Sequence, residues 1–90
     1  MKELDKIVLN INDPRIDPLG NVFAVRIEMR KHNTLLELKE KVGEMFDLKI
    51  SEFTVKRYMV SRELKNLDSK LSELGLSNHC NVRIEIGKAH

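Results

Sequence analysis

The sequence predicts an α+β domain of two layers, in which one helix packs on one face of a mixed sheet of four or five strands. Apolar and polar residues alternate near both ends of the chain, as they do in strands with one wet face. Between these segments, residues 34–46 change to helical spacing. A single amphipathic helix between alternating strands is typical of a two-layer α+β architecture.

The N-terminal strands form a predicted hairpin. Residues 7–11 and 22–30 alternate with period two, and residues 12–21 between them contain both prolines of the chain. Because proline donates no ladder hydrogen bond, residues 12–21 are predicted to form a long loop. The apolar residues of the two strands are expected to face the helix: Ile7, Leu9, Ile11, Phe23, Val25, Ile27 and Met29.

The helix has a recognisable start and one unusual residue. Thr34 and Glu37 have the spacing of a capping box. Gly43 should cost about 1 kcal/mol relative to alanine inside a helix, so close packing against the sheet is its expected role. The helical apolar stripe consists of Leu35, Leu38, Val42 and Met45 or Phe46.

The C-terminal half predicts two further strands, at residues 53–60 and 82–86, with a short strand at Leu64 between them. Residues 68–76 are predicted to form a short helical turn that ends at Gly75. The inward residues are expected to be Phe53, Val55, Leu71, Leu74, Val82, Ile84 and Ile86.

Composition excludes several classes of function. Sixteen basic residues against fourteen acidic ones give a net charge of +2, which is too mild for a dedicated binder of nucleic acid or membrane surfaces. With only four aromatic residues, we expect neither a base-stacking platform nor an aromatic ligand cage. A single cysteine rules out an intrachain disulfide and predicts a reducing compartment, the cytoplasm or the nucleus.

Three stretches in order resemble ubiquitin-like β-grasp domains. They are TLLELKEKV at 34–42, the spacing through Leu48 to FTVKR, and KLSELGL at 70–76 followed by NVRIEI. The resemblance implies one ubiquitin-like domain over residues 1–90, with an ordered core at about 5–87. ISEFTVKR at 50–57 further resembles ubiquitin-like modules embedded in ubiquitin-specific proteases, which implies a deubiquitinase as the parent protein.

Two departures from the family shape the expected function. Conjugated members end in a flexible Gly-Gly tail, whereas this sequence ends in Gly87-Lys88-Ala89-His90. The resemblance therefore implies an interaction module and not a conjugatable modifier; a modifier truncated before its diglycine is an alternative.

The second departure concerns the wet face of the sheet. The family's exposed apolar patch falls on Lys56 and Glu85, with Arg57 and Arg83 as neighbours. A charged face lacks the hydrophobic anchor of ubiquitin receptors and predicts electrostatic recognition of a protein partner or a neighbouring domain. An ordinary solvated face is the simpler interpretation, and a register shift of two would give the apolar role to Tyr58.

A second basic cluster supports an alternative function. Arg26, Arg30 and Lys31 lie on or after the second strand, although Glu28 dilutes their charge. This pattern resembles Ras-association domains, another β-grasp family, which receive an acidic strand of a small GTPase. In the 12–21 loop, Ile16 and Leu19 either bind a partner or, as we favour, fold back onto the edge of the core.

No constellation for chemistry is visible. His79 and Cys80 are adjacent, so their side chains point apart and lack an orienting third group. Cys80, His32, His79 and His90 do not have metal-ligand spacing, and no glycine-rich phosphate loop is present. We therefore expect a monomer without catalytic residues, metal, cofactor or small-molecule substrate.

Overall fold

The computed structural model describes residues 5–17, 22–60 and 62–87. Within them, four strands, one α-helix and one 3-10 helix form the two predicted layers. The elements are β1 (Lys6–Ile11), β2 (Val25–Arg30), α1 (Leu35–Phe46), the 3-10 helix (Ile50–Glu52), β3 (Phe53–Arg57) and β4 (Cys80–Ile86). Expectations for Leu19 and for the C-terminal Lys88-Ala89-His90 lie outside the described residues.

The sheet is mixed and has the strand order β2-β1-β4-β3. The β1–β2 hairpin and the β3–β4 pair are antiparallel, whereas β1 and β4 run parallel at the centre. In place of the predicted short strand at Leu64, the structure has one isolated antiparallel β-bridge between the backbones of Lys56 and Glu63. In the described part of the chain, the sheet therefore has four strands, with β2 and β3 at its edges.

The core lies between the sheet and α1, where the period-two alternation predicted it. Two predictions of inward residues were wrong. Phe23 precedes β2, which begins only at Val25, and is half-buried. Ile86 is 50% exposed, at the last position of β4. The buried apolar residues are Ile7, Leu9, Ile11, Ile27, Met29, Leu35, Leu38, Val42, Phe46, Phe53, Val55, Leu71, Leu76, Val82 and Ile84.

The capping box at the start of α1 is confirmed. Glu37 N donates to Thr34 Oγ1 at 3.3 Å, and Thr34 N donates to Glu37 Oε1 at 2.8 Å. The second bond holds the pKa of Glu37 below its ordinary value, because the amide stabilises the carboxylate. At the other end, α1 stops at Asp47, whose φ of 59° is left-handed.

Gly43 is required by a close approach of backbone to backbone. A Cβ at this position would lie 2.5 Å from the carbonyl oxygen of Leu48 and 3.8 Å from the Phe53 ring. The expected close packing is present, but its tightest partner is the segment that follows the helix and not the sheet.

We expect Gly43→Ala to lower the free energy of unfolding by about 1 kcal/mol, although alanine is the better helix former. The overpacking costs about 1–3 kcal/mol, which exceeds the gain in helix propensity of about 1 kcal/mol. Urea denaturation measures the difference. Glu44→Ala, at an exposed position of the same helix, is the control. A gain in stability for Gly43→Ala would contradict the close approach.

The connection from β3 to β4 contains the predicted helical turn, which is too short to form a regular helix. Glu73 N and Leu74 N both donate to Lys70 O, at 2.9 Å and 3.2 Å, and Gly75 N donates to Ser72 O at 3.3 Å. The 3-10 helix at Ile50–Glu52 is an additional element before β3. Leu71 is buried and Leu74 packs against the core, as predicted. Gly75 has a φ of 80°, which favours glycine, and closes the turns before Leu76 returns to the core.

Candidate protein-interaction surface

Three of the four predicted partner-binding residues meet on the outer face of the sheet. Lys56 and Arg83 are register partners on β3 and β4. Glu85 joins them: its Oε1 lies 2.9 Å from Lys56 Nζ, and its Oε2 lies 2.9 Å from Arg83 Nη2. Lys56, Arg83 and Glu85, hereafter the Glu85 cluster, thus form one ionic network with a net charge of +1.

The Glu85 cluster is partly removed from water. The exposed fractions of the Lys56, Arg83 and Glu85 side chains are 21%, 29% and 36%. Arg83 Nε is buried and has no hydrogen-bond partner. Because a carboxylate between two cations restrains both, the network presents its positive charge in a fixed geometry.

Arg57 is separated from the Glu85 cluster. Its guanidinium lies on the other side of β3, where a Cβ at Gly75 would be 3.0 Å from Arg57 Nη1. The cause is the pleat of the strand, since the neighbours Lys56 and Arg57 must point to opposite faces. The same alternation in the sequence would have excluded Arg57 from this surface.

An aromatic pair spans the sheet from one edge strand to the other. The Phe23 and Tyr58 rings lie 5.1 Å apart, centroid to centroid, at an interplanar angle of 80°. Phe23 precedes β2 and Tyr58 follows β3, although β1 and β4 lie between these strands. Tyr58 is 43% exposed, so it offers some apolar surface two residues beyond Lys56.

The start of the 12–21 loop is fixed to β4 by Asn12, whose role the sequence analysis missed. The Asn12 side chain is fully buried. Its Oδ1 accepts a hydrogen bond of 2.7 Å from Ile84 N, and its Nδ2 donates to Asp17 O at 3.3 Å. No local pattern reveals this residue, because Ile84 lies 72 positions away in the sequence.

Arg15 holds the same loop against the helix. It donates to the Phe46 carbonyl at 3.1 Å, lies 5.1 Å from the Phe46 ring centroid, and pairs with Asp13 at 3.2 Å. The side-chain hydrogen bonds from Arg15, together with its backbone N–H and its charge, lower the pKa of Asp13. Ile16, in contrast, is 82% exposed, so our expectation that it folds back onto the core was wrong.

The second basic cluster lies along a sheet edge. Arg26 and Arg30 are exposed on β2, and the exposed Lys31 follows in the turn. Between the two arginines, the carboxylate of Glu28 lies 3.6 Å from Lys6 Nζ. The structure therefore brings the three cations to one edge strand, with an acidic residue among them.

Within residues 5–17, 22–60 and 62–87, no group of three His, Cys, Asp or Glu side chains is arranged to hold a metal ion. His79 is exposed, and the half-buried Cys80 thiol lies 3.7 Å from the Asn81 carbonyl oxygen. None of the helices among these residues has the length and apolar character needed to cross a membrane.

Solved structures share this fold at low sequence identity. A ubiquitin-like domain of an Arabidopsis thaliana protein superimposes with a TM-score of 0.74 at 16% identity, over 94% of this chain and 81% of the other. The C-terminal ubiquitin-like domain of mouse tubulin-specific chaperone e gives 0.66 at 13% identity, over 94% and 88%. Caldiarchaeum subterraneum ubiquitin gives 0.67 at 16% identity, over 94% and 95%.

The chain has the ubiquitin-like β-grasp fold. The predicted resemblance is thereby confirmed at the level of the fold. No protein-family model matches the sequence. No curated protein matches it either.

Proposed function

We propose that this ubiquitin-like domain is a non-catalytic module that binds an acidic surface of a protein partner, or of a neighbouring domain, through the Glu85 cluster. The observation that carries the proposal is the bridged geometry of Lys56, Arg83 and Glu85. A partner carboxylate can pair with donors that Glu85 leaves free on the two cations. It meets a net positive site whose side chains are already ordered, so little conformational entropy is lost on binding.

The proposal extends to the context of the module. We infer a monomeric domain over residues 1–90 of a larger protein of the ubiquitin system, in the cytoplasm or nucleus. The likeness of ISEFTVKR to modules of ubiquitin-specific proteases supports a deubiquitinase parent. The mouse chaperone domain is, by its name, one domain of a longer chain, which is a precedent for such an arrangement.

The alternative function is binding of a small GTPase through Arg26, Arg30 and Lys31. The position of β2 at the edge of the sheet favours it, because an edge strand can accept an additional strand from a partner. The exposed arginines flank that edge and would face an acidic strand.

The two functions predict different responses in one set of titrations. The isotopically labelled domain is titrated with the flanking domains of its parent protein and with activated small GTPases, and amide shifts are followed by NMR. We expect the flanking domains to shift residues 54–56 and 83–85. Lys56→Glu with Arg83→Glu should weaken this binding at least about tenfold, because both attractive charges become repulsive.

Arg26→Glu with Arg30→Glu is the matched control, since it reverses the same number of charges on the same sheet. Salt-sensitive GTPase binding that only this control variant loses would establish the alternative function. Shifts confined to residues 12–17, with no response to either pair of substitutions, would reject both surfaces.

A further inference from the structure

A third charged surface lies along the free edge of β3. After Arg57 the chain turns through Met59, whose φ is 69°, and comes back alongside the strand. Leu64 N donates to Val55 O at 2.9 Å, and the backbone of Glu63 pairs with that of Lys56 in an isolated β-bridge. The returning segment leaves an open groove of about 790 Å³, hereafter the β3 groove. It is lined by Arg57, Val60, Arg62, Glu63, Leu64, Lys65, Asn66 and Leu74.

The floor of the β3 groove is aliphatic. Leu64 and Leu74 are half-buried and pack against the hydrophobic core, and Val60 is also half-buried. These side chains are held in place by the fold, so the floor is present before any ligand arrives. An aliphatic side chain placed here would remove apolar surface from water on both molecules.

The rim of the β3 groove is basic. Arg57, Arg62 and Lys65 line it, and none of them forms an ion pair with a carboxylate in the part of the chain that the structure describes. Glu63 is the one acidic residue among the described lining residues. The negative charge of Glu63 also interacts with the positive charge of Lys39, a nearly buried residue of α1. Lys39 therefore partly neutralises Glu63. The groove therefore has an excess of uncompensated positive charge.

Gly75 helps to place one of these cations. A side chain at Gly75 would contact the Arg57 guanidinium, since its Cβ would lie 3.0 Å from Nη1 and 3.2 Å from Cζ. The absence of a side chain lets Arg57 lie across the turn at the end of the groove. A guanidinium in that position can bind a carboxylate with two parallel hydrogen bonds.

We propose that the β3 groove binds a short acidic peptide segment in which an aliphatic side chain is flanked by carboxylates. The aliphatic side chain contacts Leu64 and Leu74, and the carboxylates pair with Arg57, Arg62 and Lys65. A nucleic acid fits less well, because no aromatic ring lines the groove for base stacking. None of the three residues of the Glu85 cluster lines the β3 groove, so this inference goes beyond the proposed function and does not depend on it.

The test uses the whole chain and a fluorescently labelled peptide that carries one leucine between aspartate and glutamate residues. Fluorescence anisotropy is expected to show binding that weakens as salt is added. Arg62→Glu with Lys65→Glu should weaken it at least about tenfold, because two attractive charges become repulsive. Both side chains are exposed, so the variant should fold, and circular dichroism checks this.

Lys41→Glu with Lys49→Glu changes the net charge equally at exposed positions away from the groove and should leave the affinity unchanged. Replacing the peptide's leucine by alanine should also weaken binding, by the loss of contact with the floor. Absence of binding at low salt, an equal loss in the control variant, equal affinity for the alanine peptide, or displacement of the peptide by an oligonucleotide would each overturn the proposal. Retention of peptide binding in Arg83→Glu separates it from the function assigned to the Glu85 cluster.

Discussion

Phe53→Ala is expected to lower the free energy of unfolding by about 3–5 kcal/mol, the range for removal of a buried aromatic side chain. Phe53 is 0% exposed at the first position of β3. Its ring faces α1: Lys39 Nζ lies 5.1 Å from the ring centroid, and a Cβ added at Gly43 would lie 3.8 Å from Cε1. The substitution would therefore open a cavity between the helix and the sheet. Urea denaturation followed by circular dichroism measures the loss.

The control for Phe53 is the exposed aromatic Tyr58 on the outer face. Tyr58→Ala removes the edge-to-face contact with Phe23, which is worth about 0.5–1.5 kcal/mol beyond area burial, and a side chain that is already 43% exposed. A domain of this size has a total stability of about 5–15 kcal/mol, so the Phe53 variant should lose a large fraction of it. Equal losses in the two variants would contradict the expected cavity between α1 and the sheet in Phe53→Ala.

The fold could be predicted because its signals are local and periodic. Thr34 and Glu37 lie within one helical turn of each other, and their capping box depends on nothing distant. In the same way, the alternation of β1 places Ile7, Leu9 and Ile11 on one face whatever strand they pair with. The two failures lie at strand ends: Phe23 precedes β2 and is outside the ladder, whereas Ile86 still pairs with Phe53 but is half exposed at the last position of β4.

Residues with distant partners could not be predicted in this way. Lys39 lies among exposed charges in the sequence, yet it is 6% exposed, and this burial lowers the pKa of its ammonium. The Phe23–Tyr58 pair joins the two edge strands, and the β3 groove brings Leu74 beside Arg57. Such contacts follow from strand order, which the local pattern does not contain. For the Glu85 cluster, the family resemblance supplied the register that the pattern lacked.

Asn12→Ala is expected to lower the free energy of unfolding by about 2–3 kcal/mol. The substitution leaves the buried N–H of Ile84 without the Oδ1 acceptor that now lies 2.7 Å away, and an unsatisfied buried donor costs about 1–3 kcal/mol. The substitution also removes the hydrogen bond from Asn12 Nδ2 to Asp17 O, which fixes the start of the 12–21 loop. Urea denaturation measures the stability, and amide hydrogen exchange at Ile84 reports the lost bond directly.

Asn10→Ala is the control for Asn12, because Asn10 is the same residue type two positions earlier, on β1. Its side chain makes only longer bonds, of 3.2 Å to Asn81 Oδ1 and 3.4 Å to His79 O, so we expect a loss below about 1 kcal/mol. Ile84 lies between Arg83 and Glu85, so faster exchange at Ile84 in Asn12→Ala would also show that a residue of the hairpin loop maintains the strand that carries the Glu85 cluster. Unchanged exchange at Ile84, or equal losses in the two variants, would contradict this role of Asn12.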